Sequence, residues 1–152
     1  MQLFKTFWCE DNIGDFKKEI KLIKNHCKRH QRAFEFDHYD FYPEELTEEL
    51  FTGQYSLMLI DLNLKNEQKG TEVIEIIRNY GAYVDVLLYS NNPKELYKVT
   101  QEENYVEGVF IHAGLKGLGQ KIRDVIDQIM YKENMAIHRN ETYLNSKEGD
   151  SK

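Results

Sequence analysis

Five stretches of the chain are strand-like, and each is followed by apolar residues that recur at helical spacing. Leu3 to Cys9 precedes Phe16, Ile20, Ile23 and Cys27, which share one helical face, with Asp15 placed to cap that helix. Arg32 to Asp37 alternates: Phe34 and Phe36 point one way, Glu35 and Asp37 the other, as in a half-exposed strand at a sheet edge. Pro43 then opens a short helix carrying Leu46, Leu50 and Phe51, stopped near Gly53. Tyr55 to Ile60 is the third strand. Its centre, Leu57-Met58-Leu59-Ile60, is apolar without alternation, as a parallel strand covered on both faces requires. Thr71 is placed to cap the helix of Val73, Ile76, Ile77 and Tyr80, which Gly81 ends. Val84 to Tyr89 is the fourth strand, and Asn92-Pro93 starts the next helix. Val106 to Ile111, the fifth strand, leads through a glycine-bearing turn to the stripe Leu118, Ile122, Val125 and Ile129. Beyond Met130 the chain turns polar. Residues 1–130 therefore read as one domain, and 131–152 as a helix extension fraying into a disordered tail.

Alternating strands and helices imply an α/β fold, with right-handed crossovers joining the strands of a parallel sheet. An edge-like second strand favours the doubly wound, flavodoxin-like order 2-1-3-4-5. That order sets strands one and three side by side at the switch point, where such sheets bind ligands. The strand ends there are polar. Glu10 and Asp11 follow the first strand, Asp61 the third, Ser90 the fourth and His112 the fifth. Three carboxylates, a hydroxyl and an imidazole at one sheet edge describe a site for a hard cation with a phosphoryl-like oxyanion.

Composition narrows the classes. The 152 residues are enough for one ordinary core, and 41% apolar with 30% charged residues is a globular balance. A net charge of −6 and the lack of a basic stripe argue against nucleic acid as the main partner. No apolar run reaches membrane-spanning length and no signal-peptide pattern opens the chain, so a cytoplasmic protein is expected. Cys9 and Cys27 have no metal-ligand spacing and read as buried thiols. His26, His30, His38 and His138 are not read as a zinc site, for want of a shared face with a carboxylate partner.

Asp61 lies in Ile60-Asp61-Leu62-Asn63-Leu64, followed by Gly70-Thr71-Glu72-Val73-Ile74 and Ile76-Ile77-Arg78. With Glu10-Asp11, Ser90 and the order of elements, this resembles the receiver domain of two-component response regulators, over residues 1 to 130. The likeness is greatest to stand-alone receivers of the chemotaxis-regulator type. The resemblance implies that Asp61 accepts a phosphoryl group from a histidine kinase or phosphotransfer protein, switching the binding of a downstream protein partner or a homodimer. It implies Mg²⁺ held by Glu10, Asp11, Asp61 and the backbone carbonyl of Asn63, with Ser90 as the switch hydroxyl. Receivers place a lysine at the end of strand five, and here that position is His112, followed by Ala113 rather than proline. The aromatic switch position is Val109, Asn91 is bulkier than usual, and Lys65 stands where proline is common. Lys116, in the next turn, is a second candidate for the missing cation.

Other classes fit less well. A pseudo-receiver, using the fold as a phosphorylation-independent interaction or dimerisation module, is favoured by His112. A phosphohydrolase of haloacid-dehalogenase type needs an acid two residues beyond its nucleophile, and Asn63 cannot exchange a proton that way. The glycine-rich stretch from Gly114 to Lys121 is no P-loop, because Gln120 separates Gly119 from Lys121 and no Ser or Thr follows. The chain reads as a signalling domain rather than an enzyme.

Overall fold

The computed structural model describes residues 1–43, 54–79, 84–102 and 108–150, without the side chains of 102 and 147–150. The elements run β1 (Gln2–Cys9), a 3₁₀ turn (Ile13–Phe16), α1 (Lys17–Arg29), β2 (Arg32–Tyr39), β3 (Leu57–Asp61) and a 3₁₀ turn (Lys65–Glu67). They continue with α2 (Gly70–Asn79), β4 (Asp85–Ser90), α3 (Pro93–Glu102), β5 (Val109–Ala113) and α4 (Leu118–Asp150). All five strands are parallel, in the order β2-β1-β3-β4-β5. The expected doubly wound α/β fold is the observed one. The helix expected after Pro43, the helix-ending Tyr80 and Gly81, and the first residues of the expected fifth strand lie outside the described residues.

Side-chain alternation along the sheet builds two apolar layers. Phe4, Trp8, Leu57, Leu59, Leu87 and Tyr89 pack against Ile23 and Cys27 of α1 and Leu118, Ile122 and Val125 of α4. Phe7, Cys9, Met58, Ile60, Val86 and Leu88 pack against Val73, Ile74 and Ile77 of α2 and Leu96 of α3. The central strand shows why its sequence lacks alternation: Leu57, Met58, Leu59 and Ile60 are all fully buried, two on each face. β2, the edge strand, keeps Phe34 and Phe36 in the α1 layer and leaves Glu35 exposed.

Three local expectations need correction. Asp15 does not cap α1: it lies in the 3₁₀ turn, and Phe16 takes the N-cap position without a side-chain hydrogen bond. Thr71 sits inside α2 rather than ahead of it. β5 is displaced toward the C-terminus, so His112 lies within the strand and Ala113 ends it. The start of α3 is as expected, with Asn92 Oδ1 accepting from the Glu95 amide at 3.2 Å.

Candidate functional site

The register assembles the site in one row. Cys9 pairs with Ile60, so Glu10 and Asp61 are neighbours one step beyond. Asp61 pairs with Tyr89, and Tyr89 with His112. Alternation turns this row toward the α1–α4 layer. One carboxylate oxygen each from Glu10, Asp11 and Asp61 lies within 4.8 Å of the others. Glu10 is buried, Asp61 half-buried and Asp11 exposed, so the cluster opens to solvent on one side.

Buried donors hold Glu10 in place. The Tyr89 hydroxyl donates to Glu10 Oε2 at 2.5 Å and accepts from Trp8 Nε1 at 2.8 Å. The Asn12 amide donates to Glu10 Oε1 at 3.1 Å. His38, on β2, bonds the Glu10 carbonyl through Nε2 at 2.6 Å, which fixes that nitrogen as the protonated one because a carbonyl only accepts. The Asn63 amide donates to Asp61 Oδ1 at 3.1 Å.

These donors do not balance the charge. Burial pushes the Asp61 carboxyl up to about 8, reinforced by the negative charges of Glu10 and Asp11 and opposed by the Asn63 amide. Burial also raises Glu10, against the lowering effect of its bonds to Tyr89, Asn12 and Asp61. The hydrogen bond between the two carboxyl groups raises Asp61 and lowers Glu10. Among the described residues no lysine or arginine is ion-paired with Glu10, Asp11 or Asp61. The donor set fits Mg²⁺: it is all oxygen, and a cation entering there would relieve the repulsion among the crowded carboxylates.

The loop after Asp61 is shaped for close approach. A Cβ on Gly70 would lie 2.4 Å from the Asp61 carbonyl oxygen and 2.9 Å from Ile60 Cγ2, so only glycine fits. The Gly70 amide donates to the Leu62 carbonyl, and the Leu62 amide to Tyr89, both at 2.8 Å. The 3₁₀ turn takes up the rest of the loop, with Asn66 and Glu67 in the left-handed region at φ 61° and 59°. Lys65 and Lys69 do not face the carboxylate cluster. Lys65 pairs with Asp40 at 3.5 Å and Lys69 with Glu95 at 3.0 Å.

Ser90 and His112 make their hydrogen bonds within their own loops. Ser90 is fully buried, and its Oγ accepts from the Asn92 amide at 3.0 Å, closing the turn into α3. His112 bonds the Lys116 carbonyl through Nε2 at 3.0 Å, turning along its own loop. Across the sheet Tyr89 stands between Asp61 and His112, with its hydroxyl on Glu10.

Tyr89 and His38 are site residues that pattern reading missed. Tyr89 ends an apolar run and counts as core by type, although a buried phenol beside a strand-end acid is a visible cue. His38 is paired with Trp8, two residues before Glu10, and only the register reveals that.

No family model matches the chain, and no curated relative matches it. Solved structures do. The chain is similar to a LuxR-family DNA-binding response regulator from Staphylococcus aureus, at 14% identity and TM-score 0.59, covering 83% of this chain and 98% of that one. A CheY-like response regulator receiver protein from Methanospirillum hungatei is 14% identical with TM-score 0.54, covering 86% and 99%. The phosphorylated cyanobacterial phytochrome response regulator RcpA is 24% identical with TM-score 0.52, covering 80% and 90%. The chain has the fold of response-regulator receiver domains, with the order of strands and helices that its sequence pattern predicts.

Proposed function

We propose that this chain forms a receiver domain, phosphorylated on Asp61 with Mg²⁺ to switch its binding to a downstream protein. The observation that carries the reading is the convergence of Glu10, Asp11 and Asp61 within 4.8 Å at the switch point of a receiver fold. Glu10, Asp11, Asp61 and the Asn63 carbonyl are the groups that would hold the cation. Bound there, Mg²⁺ supplies positive charge that keeps Asp61 ionised and offsets the charge of an incoming phosphoryl group. Ser90, beside Tyr89, gives up its bond from the Asn92 amide when it turns to a phosphoryl oxygen. The donor would be a histidine kinase or phosphotransfer protein. The acidic net charge favours protein partners, or a homodimer, over nucleic acid. No described helix is long and apolar enough to cross a membrane, in keeping with cytoplasmic signalling.

The test is direct. Acetyl phosphate with Mg²⁺ should add one phosphoryl group to the intact protein, and Asp61→Asn should abolish it while the far-UV spectrum stays unchanged. Equal labelling of the two proteins would sink the reading.

A second reading has its own support. His112 bonds the Lys116 carbonyl, and among the described residues no lysine or arginine is ion-paired with the acids, as a phosphorylation-independent interaction or dimerisation module would allow. That reading gains if neither protein is labelled and both bind the same partner with equal affinity.

A further inference from the structure

At the other end of α1, away from the acidic strand ends, two histidines and an aspartate meet. His26 and His30 are four residues apart on α1 and its C-cap, so their rings share a face, with centroids 4.9 Å apart. This corrects the sequence reading, which set these histidines aside. Asp127 of α4 faces them: its Oδ1 lies 2.7 Å from His26 Nε2 and 3.9 Å from His30 Nε2. The ligand atoms of all three lie within 4.8 Å of one another. Buried Ile126 and Ile129 set the rotation of α4, and buried Ile23 and Cys27 set that of α1, so the backbone beneath the cluster is held by the core.

The geometry points to a binding site for a divalent transition metal of the zinc class, held by His26, His30 and Asp127. Two imidazoles and a carboxylate, with a fourth position left to water, are a donor set such ions take. Metal bonds of roughly 2.0–2.2 Å in a tetrahedral arrangement put ligand atoms about 3.3 Å apart. The cluster reaches that spacing by side-chain shifts on the order of 1 Å or a little more, with no change in the helices. The His26 side chain is 15% exposed, while His30 at 52% and Asp127 at 45% leave a path from solvent. Binding exchanges the proton between His26 Nε2 and Asp127 Oδ1 for the metal. Arg32, which follows on β2, is engaged by Glu133 at 2.9 Å. The ion would clip α1 to α4 across 101 residues of sequence, a long loop whose closure the unfolded chain would otherwise lack.

The experiment uses the full chain, stripped with a chelator and titrated with Zn²⁺ while thermal unfolding is followed. Co²⁺ serves as a coloured substitute that reports a tetrahedral site. Zn²⁺ should raise the unfolding temperature of the wild type, and Co²⁺ should give visible absorption bands. His30→Ala, at an exposed position, should keep the fold and weaken the response at least ~10-fold, as loss of a direct ligand must exceed loss of an outer-shell partner. Asp11→Ala should leave it unchanged. The inference is overturned if wild type does not respond, if His30→Ala responds like wild type, or if Asp11→Ala removes the response. Asp127→Asn, which keeps size and shape, provides a second check with the same expected loss.

Discussion

Two clusters of ionisable side chains among the described residues lie at opposite ends of the molecule, and they are built differently. The acidic cluster grows from three strand ends, is all oxygen and is half-enclosed by Tyr89 and Trp8. The histidine cluster grows from two helix surfaces, mixes nitrogen with oxygen and lies largely in solvent. Burial raises the acids because hydrogen bonds only partly replace lost water and like charges crowd one another. The difference teaches that sheet register creates strained charge here, whereas helix packing creates only an exposed clasp. Disturbing the first should change stability and ion binding together, and disturbing the second should change ion binding more than stability.

The largest effect is expected at Gly70. Gly70→Ala places a methyl group 2.4 Å from the Asp61 carbonyl oxygen, a backbone atom that cannot move alone. It should cost about 2–3 kcal/mol by urea denaturation and weaken Mg²⁺ binding, while leaving a Zn²⁺ response at His30 intact. Equal loss at both ends would mean that the clusters are not independent.

Tyr89→Phe should come next. It removes the donor to Glu10 and leaves the fully buried Trp8 indole N–H without its acceptor, a loss of about 1–3 kcal/mol. Stability within about 0.5 kcal/mol of wild type would show that the phenol is not a structural support of the acid site.

His112 should matter least. Its one described bond goes to the Lys116 carbonyl at a half-exposed position, so His112→Ala should cost about 0.5 kcal/mol and leave Mg²⁺ binding unchanged. A large change in Mg²⁺ affinity would instead place the imidazole in the acid site.

How much of this was legible in the sequence follows from what each feature depends on. Strand order came from the apolar run Leu57 to Ile60 and the alternation of Phe34 and Phe36, because burial on two faces or one writes itself into side-chain type. The meeting of Glu10 with Asp61 followed from topology alone. Tyr89 did not, because its role depends on a three-strand register that sets a phenol between a carboxylate and an imidazole. The four-residue spacing of His26 and His30 was visible in the sequence. Asp127 was not a readable partner, since it lies 101 residues from His26 and meets it only through the rotation of α4. His112 matched the family's lysine by position, and its bond to the Lys116 carbonyl is a local pairing that strand position does not encode.

Glu10, Asp11 and Asp61 are proposed to form one site where a proton and Mg²⁺ compete. Folded Asp61 keeps its proton to about pH 8, while the ordinary value is 3.8. Between those values the folded state binds more protons than the unfolded chain, so this group's contribution to stability falls as pH rises. Unfolding free energy measured from pH 4 to 8, wild type minus Asp61→Asn, isolates that contribution. The difference should decline steadily with pH in a chelator. Mg²⁺ should reverse most of the decline above neutral pH, and Asp11→Ala should remove the reversal. A difference that stays flat with pH, or that Mg²⁺ leaves untouched, would contradict the account.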